Sequence, residues 1–222
     1  MKLLLTGATG LSGGETLKQA LEDSSIDQVT VLTRKTVGKS HPKLKEIIFS
    51  DFAGDYSEVI AKNDLASHDA CIWALGISQR DVSKEDYIKI TYDYTMAAAK
   101  AFNQANPNMK FLFLSGQGAD QTEKSYFLFG RVKGKTEREL TEIYKNRAFI
   151  FRPGYIQPST PRPNPRTGEG LFSKLTPFVN AISGQRFASP SADLAKAMIN
   201  VAKNGSSIHL FDNRAIMAAA KQ

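Results

Sequence analysis

Short apolar runs alternate along the chain with longer stretches of helical periodicity. The runs at 2–6, 28–33, 46–49, 69–75, 110–114, 148–152 and 207–211 predict strands, and the segments at 11–23, 56–65, 82–105 and 126–145 predict helices between them. This alternation argues for a parallel sheet with helices packed on both faces. Ser83, followed by Glu85 and Asp86, supplies a cap and an acidic first turn for the long third helix, which ends before Pro107. After Pro153 the alternation stops. A stretch holding Pro158, Pro161, Pro163 and Pro165, then Gly168 and Gly170, reads as an irregular excursion, followed by two more helices near 171–183 and 191–203. Pro190 suits a position at the start of the second of these. With no repeat or low-complexity tract, the expectation is a single domain over 1–222, in which 153–222 forms a small substrate-side region.

Composition narrows the class without naming a chemistry. At 222 residues, with 41% hydrophobic and 23% charged side chains, the chain can bury one substantial core. Its longest early apolar run, Leu3-Leu4-Leu5, is too short for a signal-peptide core or a membrane span, so the expected location is cytoplasmic. The single cysteine, Cys71, lies in an apolar stretch and reads as a small buried hydrophobe, and His41, His68 and His209 lack the spacing of zinc ligands. A net charge of +7 is spread along the chain rather than gathered in a basic or aromatic stripe. Nucleic acid is therefore the least favoured partner.

The motif with the most specific physics is Thr6-Gly7-Ala8-Thr9-Gly10-Leu11-Ser12-Gly13, directly after the first strand and opening the first helix. Gly7 permits a tight turn, Gly10 lets a pyrophosphate approach the backbone, and Gly13 lets the helix pack close to the sheet. Thr9 and Leu11 belong to the same turn, where the free N–H groups of the helix can meet phosphate. Alone, a glycine triplet is only a tight turn. The flanking strand, the helix and the second strand at 28–33 supply the context that dinucleotide binding requires. The fold class expected is α/β, a three-layer Rossmann-like doubly wound parallel sheet with a reduced C-terminal substrate region. Where an acidic side chain would bind the ribose of NAD, the chain instead carries Arg34-Lys35. A planar, permanently charged guanidinium suits a 2′-phosphate, so NADP(H) is the preferred cofactor and NAD(H) the second choice. The plainer reading is that Arg34 and Lys35 solvate a loop.

These residues resemble the atypical and extended short-chain dehydrogenase/reductase families, whose glycine motif has the same Thr-Gly-x-x-Gly-x-x-Gly form. The stretch 114–120, then Ser125 and Arg131-Val132-Lys133-Gly134-Lys135-Thr136-Glu137, is similar to a group holding the Tat-interacting oxidoreductase-like proteins and bacterial relatives called nucleoside-diphosphate-sugar epimerases. The resemblance implies that Asp51 and Phe52 contact adenine, although Asp51 equally suits a turn cap. It implies that Ala74, Leu75 and Gly76 lie against the cofactor's ribose and phosphates, and that Pro153 and Gly154 pass beside the nicotinamide. Ser115 falls where these families keep a catalytic serine or threonine, and Lys133 where they keep a catalytic lysine that also holds the nicotinamide ribose. Their plainer readings are a turn-closing serine and a solvated helix lysine.

Four residues before Lys133, where such enzymes carry a proton-donating tyrosine, this chain has Phe129. Residues four apart share a helix face, so Phe129 keeps the shape of the pair and removes its hydroxyl. Losing a positioned general acid costs about 10²- to 10⁴-fold in rate. Tyr126 is a poor substitute, since it stands nearly two turns, about 10.5 Å, from Lys133 on a regular helix. Tyr155, just past Arg152-Pro153-Gly154, is the nearest other phenol to the expected nicotinamide. Arg162 and Arg166 in the proline-rich loop could meet an anionic substrate. The functional expectation is an NADP(H)-binding oxidoreductase, or an epimerase- or dehydratase-like protein, acting on an unidentified small molecule. Its alternative is an inactive NADP(H)-binding redox sensor or regulatory protein. Either would be a monomer or homodimer, the latter pairing its long helices across a two-fold axis.

Overall fold

A computed structural model describes residues 1–159 and 188–222. Seven strands, β1 (Lys2–Thr6), β2 (Gln28–Thr33), β3 (Leu44–Ile48), β4 (Ala70–Trp73), β5 (Lys110–Leu114), β6 (Ala148–Phe151) and β9 (Leu210–Phe211), form one sheet in the order β3-β2-β1-β4-β5-β6-β9. Every pairing in it is parallel. The chain crosses from one half of the sheet to the other between β1 and β4, the place where a doubly wound fold opens a crevice at its strand ends.

Alternation along each strand feeds two cores. Leu3 and Leu5 of β1 point to one face with Ile72, Leu112 and Phe151, where helices α1 (Leu11–Glu22) and α6 (Ser191–Asn204) cover them. Leu4 points to the other face with Trp73, Phe111, Phe113 and Ile150, beneath α4 (Tyr94–Ala105) and α5 (Leu128–Tyr144). Each such side chain contributes about 1.5–3 kcal/mol by leaving water. Tyr92, just before α4, ties its approach to α5: its Oη donates to Glu139 at 2.8 Å, and Lys135 lies over its ring. On the opposite face, Gln19 donates to the Ala192 carbonyl and Lys203 pairs with Asp23, tying α6 to α1. The expected helix around Asp193-Leu194-Ala195 thus packs as scaffold, with Leu194 and Ala195 fully buried.

Several boundaries differ from the sequence reading. The helix expected at 126–145 starts at Leu128, because Phe127 is extended (φ −84°, ψ 133°). The Asp120 carboxylate accepts from the Thr122 and Lys124 amides, and Arg131 donates to the carbonyls of Ser125 and Tyr126, which holds that segment out of the helix. The helix expected at 82–105 is α3 (Lys84–Ile88) joined to α4 through a π-helical turn, Lys89–Asp93. The Ser83 cap is as expected, accepting from the Asp86 amide at 3.0 Å. Near 56–65 the helix is α2 (Ser57–Asn63). A two-stranded parallel sheet of β7 (Tyr155–Gln157) and β8 (Ala188–Pro190), and helix α7 (Asn213–Ala219), were not anticipated. The helix expected near 171–183, together with Arg162 and Arg166, lies outside the described residues.

Candidate functional site

The turn at the ends of β1 and β4 is built from glycines for steric reasons. Gly7 has φ +71°, and a Cβ there would stand 2.4 Å from the Ala74 carbonyl oxygen. A Cβ on Gly13 would stand 2.2 Å from the Gly7 oxygen. Strand end, helix and the 74–75 segment therefore meet with no room for side chains. Thr6 fastens the same place, accepting from the Leu75 amide at 3.3 Å. Gly10 caps α1 without a side-chain hydrogen bond, and both it and Thr9 are exposed. The N-terminus of α1 thus carries no capping side chain, and the free amides of a helix N-terminus are the groups that bind a diphosphate. Arg34 and Lys35 follow β2 immediately and are exposed, and Gly76 is exposed beyond β4. The turn and helix N-terminus fit the diphosphate of a dinucleotide.

Phe52 departs from expectation. Its ring is fully buried between Phe49, Trp73 and Tyr94, so it is a core residue with no face left for adenine. Asp51 is exposed and its carbonyl closes a turn by accepting from the Gly54 amide at 3.2 Å.

Along α5, residues 129, 133 and 137 form one inward stripe. Lys133 Nζ donates to the Leu114 carbonyl at 2.9 Å and lies 5.0 Å over the Phe113 ring. Burial pulls its pKa down to about 8, opposed by the Glu137 charge. Glu137 itself is fully buried. Its carboxylate accepts from Ser115 Oγ at 2.5 Å, from Gln121 at 3.1 Å and from Arg152, whose Nε approaches at 2.9 Å and whose Nη2 makes a second, close contact. Ser115 therefore spends its proton on Glu137 and cannot simultaneously donate to a substrate carbonyl. Sequence reasoning missed Glu137, although its place four residues past Lys133 put it on the same stripe.

Phe129 is the wall between two cavities. One, of about 490 Å³, is bounded by Ser115, Gly116, Pro153, Gly154, Tyr155 and Ile156, on the side where the resemblance places nicotinamide. The other, of about 450 Å³, is bounded by the 77–80 segment and Phe127. Gln117, Gly118 and Phe129 line both. The Phe129 ring lies so close to Gly116 that a Cβ on that glycine would meet it at 2.9 Å. Tyr126 is 91% exposed, outside the helix and stacked edge-on against Phe127, so it does not reach this wall. A further unanticipated residue is Asn213, whose side chain accepts from the Gly154 amide at 3.1 Å and from Ser189 Oγ at 2.7 Å, joining the 153–154 turn to β8.

No protein-family model matches the chain. It is 32% identical over 159 residues to the mitochondrial protein FMP52 of Candida albicans, spanning 70% of this chain and 67% of that one. The chain belongs to the atypical short-chain dehydrogenase/reductase family that holds FMP52. It is also 25% identical over 225 residues to rat protein HTATIP2, covering 99% of this chain and 89% of the relative. A third relative, leucinostatins biosynthesis cluster protein T of Purpureocillium lilacinum, is 34% identical over 65% of this chain, but the match spans only 52% of that protein. Among solved structures, UDP-glucose 4-epimerase of Thermotoga maritima superposes with a TM-score of 0.68 at 16% identity, over 95% of this chain and 76% of the epimerase. UDP-glucuronic acid 4-epimerase of Bacillus cereus, solved in complex with NAD, superposes at 0.66 and 16% identity, over 96% of this chain and 76% of its own. These structures share the fold with the FMP52-family chain. Among the described residues no helix is long and apolar enough to cross a membrane, and no cluster of side chains is suited to hold a metal ion.

Proposed function

We propose that this member of the FMP52 family binds NADP(H) and is an oxidoreductase-type protein whose proton donor has been replaced by Phe129. The glycine turn that opens α1 carries the reading: Gly7 and Gly13 let strand, helix and the 74–75 segment pack backbone to backbone, and exposed Gly10 leaves the helix N-terminus bare toward a diphosphate. Arg34 would meet the 2′-phosphate, and Lys133 would use its remaining N–H groups on the ribose hydroxyls. When bound, the dinucleotide supplies or accepts hydride. The chain orients it: Leu75 and Gly76 flank the diphosphate, and Pro153 and Gly154 back the nicotinamide. Tyr155, half-buried on the nicotinamide-side cavity, is the candidate for a displaced proton donor.

A second reading, in which the protein holds NADP(H) without consuming it, draws on the Ser115–Glu137 bond, which removes the other usual partner of a substrate oxygen. Calorimetric titration with NADPH, NADP⁺, NADH and NAD⁺ tests the shared part. We expect NADPH to bind tightest, and failure of all four at millimolar concentration overturns the proposal. Turnover then separates the readings: Phe129→Tyr should raise carbonyl reduction by about 10²-fold or more if the framework is enzymatic. The proposed compartment is cytoplasmic, with the mitochondrial location in FMP52's name as the competing outcome for cell fractionation.

A further inference from the structure

The cavity between the 77–80 segment and Phe127 has the dimensions and lining of a small-molecule site in its own right. Its volume of about 450 Å³ falls within the range of about 300–1,000 Å³ that ligand pockets span. Ile77, Phe127 and Phe129 supply its apolar wall, and two of those three side chains are aromatic. The polar side chains around it have protons to give. Gln79 Oε1 already accepts from the Phe129 amide at 2.9 Å, which leaves the carboxamide NH₂ as its donor end. Ser78 Oγ accepts from the Arg80 amide at 3.2 Å and keeps its own proton. Arg80 also lines the cavity; it is exposed, and its guanidinium has no ion-pair or hydrogen-bond partner among the described residues. No Asp or Glu among the described residues lines the cavity.

We infer that this cavity binds an aromatic carboxylate and holds it without converting it. A site whose open polar valences are donors, one of them a permanent cation, is complementary to an anion that only accepts. The planar fork of a guanidinium matches the two oxygens of a carboxylate, and the Gln79 NH₂ and Ser78 hydroxyl are further donors for them. One guanidinium balances one charge. A dianionic phosphate would keep an unpaired charge beside Ile77 and Phe127, where water is partly excluded. A neutral sugar would leave hydroxyls against the same apolar wall without partners. An aromatic frame gains from Phe127 and Phe129 through offset or edge-on ring contacts, which add to affinity beyond area burial. The Phe129 ring stands between this cavity and the side on which the nicotinamide is proposed to lie, so an acid bound here is out of reach of hydride and no bond in it changes. The inference goes beyond the proposed function and does not depend on it. Acid and dinucleotide occupy different places on the chain and bind together.

Equilibrium dialysis of the purified chain with 2-naphthoate tests the assignment against two matched ligands. One is 2-naphthalenemethanol, which keeps the ring system and drops the charge; the other is decahydro-2-naphthoate, which keeps the charge and the bicyclic frame and drops the aromaticity. We expect saturable binding of 2-naphthoate at one site, about tenfold tighter than the alcohol, because hydrogen bonds to a charged group are the stronger ones. It should bind roughly threefold tighter than the saturated acid through the ring contacts. Arg80→Gln should remove the advantage of the acid over the alcohol, and Phe127→Ala should shrink the advantage of the aromatic ring over the saturated one. Both side chains are exposed, Phe127 by 66%, so the variants keep the fold, which the unfolding midpoint checks. Saturating NADPH should leave the affinity for 2-naphthoate unchanged. The inference is overturned if 2-naphthoate shows no saturable binding, if either matched ligand binds as tightly, or if either variant leaves its advantage intact. Displacement of 2-naphthoate by NADPH also overturns it, since the acid would then lie in the dinucleotide's own site. Failure of NADPH to bind strikes the proposed function alone, and the ligand and variant comparisons then decide the inference.

Discussion

Glu137 joins Ser115, Gln121 and Arg152 with no contact to water. Removing one partner of a buried pair leaves an uncompensated charge, which costs about 3–5 kcal/mol. Glu137→Gln should therefore lower stability by that order in urea unfolding, while Glu137→Gln combined with Arg152→Met should recover part of the loss. Equal losses in the single and double variants would show that the Arg152 charge left unpaired carries no penalty of its own. Lys133 gives a pH signature. Its folded pKa of about 8 lies below the ordinary 10.5, so between those values the unfolded chain holds a proton that the native chain has shed. Stability from this group must rise as pH climbs through that window. The stability of the native chain relative to Lys133→Met should therefore increase between pH 7 and pH 10. A constant difference would mean that Lys133 keeps its ordinary pKa. At residue scale Gly7, Gly10, Gly13 and the Phe129–Lys133 spacing were legible because each rests on a local rule. Glu137 was not: in Lys135-Thr136-Glu137-Arg138-Glu139 a buried carboxylate is indistinguishable from a solvated one until Ser115 and Arg152 arrive from distant strand ends.

The strands that cross the core were readable as elements, since parallel strands buried on both faces form uninterrupted apolar runs. Their order was not written in those runs; it followed from the helical crossovers and the glycine turn. What failed were ends and short pieces. Tyr126 and Phe127 continue the apolar look of α5 backward, but the hydrogen bonds of Asp120 and Arg131 set the helix start later. Helix α7 did have a signal, Asp212, whose carboxylate accepts from the Ala215 amide at 2.8 Å and opens the run that follows. Closeness between elements also makes a prediction. A Cβ on Gly134 would stand 1.9 Å from the Asp120 carbonyl, so Gly134→Ala must push α5 off the segment beneath it. Overpacking of this kind costs about 1–3 kcal/mol. Thermal unfolding should show that loss, together with weaker NADPH binding as Lys133 moves with its helix. Unchanged melting would mean that α5 shifts freely. Between α1 and α6, Asp23 makes a salt bridge with Lys203. Although burial works against it, hydrogen bonds from Ser25 and Lys203 hold its pKa at about 2. Its contribution is present above pH 4 and fades as pH falls toward 2.

For the molecule as a whole, a ligand that binds only the folded state stabilises it by mass action, about 2.7 kcal/mol at a concentration one hundred times its dissociation constant. NADPH should thus raise the unfolding midpoint more than NADH at equal concentration, and Arg34→Ala should narrow the gap. Identical shifts would assign Arg34 to the loop surface. Cys71 lies in β4, the middle strand of the seven, with no exposed surface and a thiol that burial keeps protonated. An alkylating reagent can reach that sulfur only when the centre of the sheet parts. Its rate of modification is consequently a clock for whole-molecule opening, carried by the native sequence without an added probe, and saturating coenzyme should slow it.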